Sequence, residues 1–155
     1  MTTIACDGKT IAADSQITGC GLIHSNTFQK IHRLPDGSIF AFSGAAYDLQ
    51  AWLDFASGLS CELRAIEDSE ALVLKPNGEL WCYNEIGRAY RQSVPAATGS
   101  GSAVALGAML AGASPRRAVE IASMLDTKTG GDVIEMAPSL PDHMTPKDFA
   151  KEVNR

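Results

Sequence analysis

Thr2 and Asp126 carry the clearest chemistry in this chain of 155 residues. If Met1 is removed, as expected when a small residue follows the initiator, Thr2 presents a hydroxyl and a free α-amine on one residue. A threonine hydroxyl is a weak nucleophile until an adjacent base takes its proton, and an N-terminal amine is such a base. Its ordinary pKa of about 7.7–8.0 lies near working pH, where a general base is most useful. Asp126 is expected at the C-terminal end of a helix, where the macrodipole disfavours a carboxylate, so a compensating contact is required. Cys6, Cys20, Cys61 and Cys82 show no C-x-x-C spacing and no Cys–His cluster, which points to reduced thiols rather than a zinc site or a disulfide framework.

These residues need elements to hold them. Residues 2–14 read as a hairpin turned at Asp7-Gly8-Lys9, which places Thr2 at the start of a strand. Residues 14–27, rich in Ser, Thr, Gly and Asn, read as a loop or irregular ribbon. Residues 28–34 alternate with period two and return through Pro35-Asp36-Gly37 into 38–42, a second hairpin. Leu49, Trp52, Leu53 and Ala56 recur at helical spacing within 45–56, with Gly58 as the stop. Residues 70–74 and 79–83 flank Pro76-Asn77-Gly78 as a third hairpin. A polar connection then leads to a short strand over 94–98 and the Gly99-Ser100-Gly101 turn. An apolar helix is predicted over 103–111. A second begins at Ser114-Pro115, Ser as N-cap and Pro at the first position, and ends near Leu125. A closing strand spans 132–136, and Thr145-Pro146 caps a last short helix.

Length allows one domain, 1–155, with room for a sizeable core. A net charge of -5 and a pI near 5.1 argue against nucleic-acid or anionic-membrane surfaces, which need clustered Lys and Arg. No leader is read before Thr2 and no run reaches the roughly 18 apolar residues of a membrane span, so a cytoplasmic protein is expected. Hairpins joined to segregated helices indicate α+β, with helices on either side of two packed antiparallel sheets.

Six short motifs, in order along the chain, resemble the proteasome β-subunit family, including its HslV-type peptidases, which are N-terminal-nucleophile hydrolases. They are Thr2-Thr3-Ile4, Ala13-Asp14, Lys30-Ile31-His32-Arg33-Leu34, Ser43-Gly44, Gly99-Ser100-Gly101 and Asp126-Thr127-Lys128-Thr129-Gly130-Gly131. Together they span residues 2–131, which makes the set far more specific than any member. The resemblance implies the four-layer αββα sandwich of that hydrolase class.

It also implies roles. Thr2 is the expected nucleophile, forming an acyl-enzyme that water releases. Lys30 lies beside its hydroxyl, where a positive charge lowers the pKa of both amine and hydroxyl. Asp14 holds Lys30, and the Gly44 N–H is the oxyanion donor. Ser100, Asp126 and Thr129 form a hydrogen-bonded cluster around the amine. Thr18, Phe28, Phe42 and Ala46 are the expected substrate-binding positions, with Phe28 and Phe42 narrowing an aromatic pocket for small or medium apolar side chains.

The implied activity is a threonine endopeptidase acting on unfolded polypeptides within a homo-oligomeric ring or double ring. No cofactor is expected in the subunit, and ATP enters only through a partner, an AAA+ unfoldase or cap. Two departures qualify the match: Thr129 stands where the family has serine, and residues 59–68 are too few for the family's second helix. Alternatives are a catalytically silent ring scaffold, an amidase of the same wider class acting on a small molecule, and a plain binding module.

Overall fold

The computed structural model describes residues 1–65 and 68–140. The chain opens with β1 (Thr3–Cys6) and β2 (Ile11–Ala13), every residue buried. The Asp7 carboxylate accepts the Lys9 and Thr10 amides at 2.8 Å and thereby closes their turn. The stretch expected as a loop or irregular ribbon pairs as a two-stranded ribbon, β3 (Ile17–Gly19) and β4 (Leu22–Ser25). Its apolar residues Leu22 and Ile23 face solvent, so no buried face marked it as sheet in the sequence.

A second sheet contains β5 (Ile31–Arg33), β6 (Ile39–Ser43), β7 (Glu70–Leu74), β8 (Leu80–Asn84) and β9 (Ala89–Gln92), in that order and antiparallel throughout. The edge strand β9 lies in the stretch read as a polar connection. It is largely exposed, which explains its polar composition. Between β6 and β7 come a single 3-10 turn, Ala46–Asp48, and α1 (Leu49–Ala56). No helix follows α1 among the described residues of the connection to β7.

The remaining elements are β10 (Ala96–Gly99), α2 (Ser102–Leu110), α3 (Pro115–Leu125) and β11 (Ile134–Met136). As expected, Pro115 opens α3 and Ser114 caps it by accepting the Arg117 amide. The first sheet runs β10-β1-β2-β11, so the N-terminal strand is central, flanked on both sides by hydrogen-bonded neighbours. The helix expected after Thr145-Pro146 lies outside the described residues.

Three apolar clusters hold these elements. Ile4, Cys6, Ile11 and Ala13 of the first sheet meet Ile31, Ile39, Ala41, Leu72, Leu74 and Leu80 of the second. On the other face of the first sheet, Ala5 and Ala12 meet Ala105, Met109, Ala118, Val119 and Ala122 of α2 and α3. On the other face of the second sheet, Phe40, Phe42, Ala71 and Val73 meet Trp52 of α1. The fold is mixed α+β with antiparallel sheets and three α-helices among the described residues. Period-two alternation along β1 decides the chemistry that follows. Ile4 and Cys6 point toward the second sheet and Ala5 toward the helices, so Thr2 and Thr3 begin that alternation on opposite faces.

Candidate active site

A central strand that starts at residue 3 leaves Thr2 at the sheet's end, 3% exposed. Gly99, paired with Thr3 at the end of β10, lets the chains approach there. A Cβ on Gly99 would lie 1.8 Å from the Thr2 carbonyl oxygen, and its φ of +94° is one that L side chains rarely adopt.

Asp14 follows β2 directly, and Lys30 immediately precedes β5, so the two sheets bring them together. The Lys30 Nζ lies 3.0 Å from Asp14 Oδ1, and both side chains are essentially excluded from water. Lys30 on a strand is ordinarily a solvated cation; here it is 1% exposed. Its second acceptor is the Met1 carbonyl at 3.1 Å, the oxygen of the peptide bond that joins Met1 to Thr2. Burial pushes the Lys30 ammonium below its usual range, opposed by the adjacent Asp14 carboxylate. Asp14 is well satisfied: Oδ1 also accepts the Thr3 amide at 3.0 Å, while Oδ2 accepts the Gly130 amide at 3.0 Å and the Gln16 amide at 3.3 Å. Burial and the Lys30 charge also depress the pKa of the Met1 amine from its usual 8.0.

A second carboxylate sits on the helix side. Asp126 is the C-cap residue of α3. Its Oδ2 accepts the Ser100 hydroxyl and, at 2.6 Å, the Thr129 hydroxyl, while Oδ1 accepts the Lys128 amide at 3.2 Å. These are the compensating contacts that a carboxylate at a helix C-terminus requires. Burial alone would raise its pKa, but the two hydroxyls, the Lys128 amide and the Lys128 charge outweigh burial and hold it below the usual 3.8. Ser100 also reaches the Thr2 carbonyl oxygen at 3.4 Å, linking this cluster to the chain start.

Thr3 was not among the expected site residues. It is fully buried, and its hydroxyl lies 2.6 Å from that of Thr129. The available signal was a hydroxyl on a wholly buried strand, since such a group must find a partner. Gln16, also outside the expected set, is buried between β2 and β3, its amide on Asp14 and its side chain on the Thr127 carbonyl.

Gly44 directly follows β6, at a φ of +158°. A Cβ there would lie 2.5 Å from the Ser69 Cβ, so the position has room for glycine alone. Of the expected substrate-binding residues, Thr18 sits on the ribbon opposite Ile23, and Ala46 starts the partly exposed 3-10 turn. Phe28 is half-buried at the margin of the cluster under α1. Phe42 is 2% exposed with its ring centroid 6.5 Å from that of Trp52, so it is packed into the core rather than projecting into an open pocket. Alternation explains this, because Phe40 and Phe42 share the α1-facing side of β6 while Ala41 faces the first sheet.

A cavity of about 240 Å³ lies between α1 and the second sheet, lined by residues such as Phe40, Trp52, Phe55, Val73 and Tyr83. It contains none of the expected catalytic residues. No cluster of His, Cys, Asp and Glu among the described residues is arranged to hold a metal ion, and no helix among them is long and apolar enough to cross a membrane.

Comparison with known proteins places this geometry in context. The family model described as proteasome subunit matches residues 2–75, the span that contains Thr2, Asp14, Lys30 and Gly44. Among solved structures, Thiobacillus denitrificans BPH is similar at 24% identity with a TM-score of 0.67, over 89% of this chain and 98% of that one. The same protein in complex with epoxomicin is similar at 21% identity and a TM-score of 0.62, over 89% and 98%. Eukaryotic HslV from Trypanosoma brucei is similar at 19% identity and a TM-score of 0.64, over 88% and 98%. No curated protein matches the sequence. The resemblance to the proteasome subunit family therefore holds in the sequence of the N-terminal stretch, and likeness in fold extends over nearly the whole chain.

Proposed function

We propose that the protein is a threonine endopeptidase of the N-terminal-nucleophile hydrolase class, acting on unfolded polypeptides after Met1 is removed. One observation carries the reading: a buried Lys30 ammonium, ion-paired to Asp14, donates to the carbonyl of the Met1–Thr2 bond. Excision of Met1 removes that acceptor and leaves the new Thr2 amine close to the Lys30 charge. A buried cation beside an amine favours its neutral, proton-accepting form and stabilises an alkoxide. A scaffold has no need of a desolvated ion pair, because a well-packed apolar pair is often as stable or more so.

In this reading Thr2 attacks the substrate carbonyl and its hydroxyl proton passes to its own amine. The oxyanion accepts the Gly44 N–H. The amine then returns the proton to the leaving amine, and water releases the acyl group. Asp14 positions Lys30, and Ser100, Asp126 and Thr129 order the far side of the amine. Phe28, Thr18 and Ala46 border the substrate channel, with Phe42 supporting it from beneath. The three stacked clusters support the αββα sandwich as a single domain. A homo-oligomeric ring or double ring, with ATP entering only through a partner unfoldase, completes the proposal.

The test is intact mass before and after a peptide epoxyketone, a warhead that bonds both the hydroxyl and the free amine of an N-terminal threonine. Loss of Met1 with one adduct per chain, abolished in Thr2→Ala, is the expected result. Retained Met1, or no adduct, overturns the peptidase reading and leaves the silent ring scaffold.

A further inference from the structure

Thr3 links two carboxylates, Asp14 and, through Thr129, Asp126. Its amide donates to Asp14 Oδ1 at 3.0 Å. Its side chain, on the other face of the strand, meets the Thr129 hydroxyl at 2.6 Å. Proton counting sets the direction of that second bond. Thr129 has one hydroxyl proton and gives it to Asp126 Oδ2, so the proton between Thr3 and Thr129 comes from Thr3. The order is Thr3 to Thr129 to Asp126. The Gly130 amide returns to Asp14 Oδ2, and the Ser15 amide to the Gly130 carbonyl, so the contacts close into a ring through Asp14, Thr3, Thr129 and Gly130.

Space has been left for this contact. A Cβ on Gly101 would sit 2.1 Å from the Thr3 hydroxyl oxygen and 3.2 Å from that of Thr129. The middle glycine-flanked turn thus admits the hydroxyl pair while its Ser100 supplies the other donor to Asp126. Hydrogen bonds in series polarise one another, so the Thr3 proton strengthens the donor that Thr129 offers to the carboxylate.

We propose that Thr3 is a positioning residue that locks the Asp126 cluster to the Asp14–Lys30 pair, fixing the orientation of Thr2 from both sides. The proposal rests on the peptidase reading for its catalytic consequence, but the coupling of Thr3 to Asp126 does not. The effect belongs to the hydroxyl, since the Thr3 amide and backbone pairing survive any side-chain change.

The experiment compares the mature chain with Thr3→Val and Thr3→Ser, by two readouts. The first is the rate of epoxyketone inactivation across pH. The second is the carboxyl titration of Asp126 followed by ¹³C NMR, which needs no activity. Thr3→Val is expected to slow inactivation about tenfold or more, comparable to a lost buried hydrogen bond, and to move the Asp126 titration upward. Thr3→Ser is expected to restore both. Inactivation within about twofold of wild type together with an unmoved Asp126 titration in Thr3→Val overturns the proposal. So does a Thr3→Ser protein as impaired as Thr3→Val, which assigns the effect to methyl packing. If the wild type itself forms no adduct, the peptidase reading fails while the Asp126 titration still decides the role of Thr3. Should Thr3→Val not fold, Thr3→Ala removes the same hydroxyl with less bulk and must give the same two changes.

Discussion

Lys30 Nζ lies 3.0 Å from Asp14 Oδ1 with both side chains at 1% exposure or less, yet the two partners are not equally dependent on each other. Asp14 accepts three backbone amides besides the lysine. Among the described residues, Lys30 donates only to Asp14 and the Met1 carbonyl. Removing the carboxylate therefore strands a buried cation, whereas removing the lysine leaves a carboxylate still solvated by the backbone. Asp14→Ala is expected to cost about 3–5 kcal/mol, the usual penalty for breaking a buried pair. Lys30→Met is expected to fold with clearly smaller loss while abolishing epoxyketone reaction. Urea unfolding of both variants checks the asymmetry, and equal losses count against it.

The pH dependence of the reaction should be bell-shaped, with both limbs displaced downward. Burial and the Lys30 charge lower the pKa of the amine at the chain start, here that of Met1, below 8.0. The same causes act on the amine of Thr2 once exposed, so the proton-accepting form is present at lower pH than in a free threonine. Burial also lowers the Lys30 pKa below 10.5, so the charge is lost as pH rises through that depressed value. Inactivation rates by epoxyketone should rise through an acid limb below pH 8.0 and fall through an alkaline limb below 10.5. For stability the sign is opposite to that for activity. Between the depressed Lys30 pKa and 10.5 the unfolded chain binds more protons, so this group's contribution favours folding increasingly as pH rises.

Asp126 should contribute to acid sensitivity. Its folded-state pKa is held below 3.8, so its stabilising contribution is present above that value and disappears as pH falls through the lower one. Because the Ser100–Asp126 contact is near the surface, the effect is small. Asp126→Asn should flatten the acid side of a stability curve measured by thermal melts between pH 2 and 5, and an unchanged curve contradicts it.

Gly44→Ala should be damaging for reasons of space. Its Cβ would lie 2.5 Å from the Ser69 Cβ and 3.1 Å from a Phe42 ring carbon. Relief requires the backbone at Gly44 to move away from the site, and with it the amide proposed as the oxyanion donor. A loss of about 10²–10³ in epoxyketone inactivation rate is expected, with Ser69→Gly recovering part of it. Failure of the second substitution to recover anything would place the cost elsewhere.

Trp52 offers a prediction remote from the site. It is 1% exposed and its indole N–H finds no acceptor among the described residues. Trp52→Phe discards an unsatisfied donor along with some packing, so it should cost well under the roughly 3–5 kcal/mol expected of Trp52→Ala. Thermal unfolding of both variants distinguishes a donor that lacks a partner from one that has found one.

Most of the architecture could be read from the chain because its signals are local. The Asp7-Gly8, Asp36-Gly37 and Asn77-Gly78 turns, the alternation through 28–34 and the Ser114-Pro115 helix start each act within a few residues, and the elements form where they point. The strands β4 and β9 were not delimited by the sequence. Their pairing is made by backbone groups, while their side chains largely face solvent and carry no alternation. Packing decides that the Phe42 ring lies against Trp52, because a motif position does not say which side of the strand a ring takes.

Residue order alone sets a threonine after Met1 at the head of a strand, ends a helix at Asp126, where donors are needed, and supplies ordered motifs that resemble the proteasome subunit family. Which groups meet depends on the packed layers. Residues 2, 14, 30, 100, 126 and 129 are brought together only when two sheets stack and a helix pair covers one of them. Burial of Lys30, the donors that surround Asp14 and the tie from Thr3 to Thr129 follow from that stacking. Local sequence sets backbone propensity over a few residues, whereas desolvation and hydrogen bonding between residues a hundred apart exist only once the layers have packed.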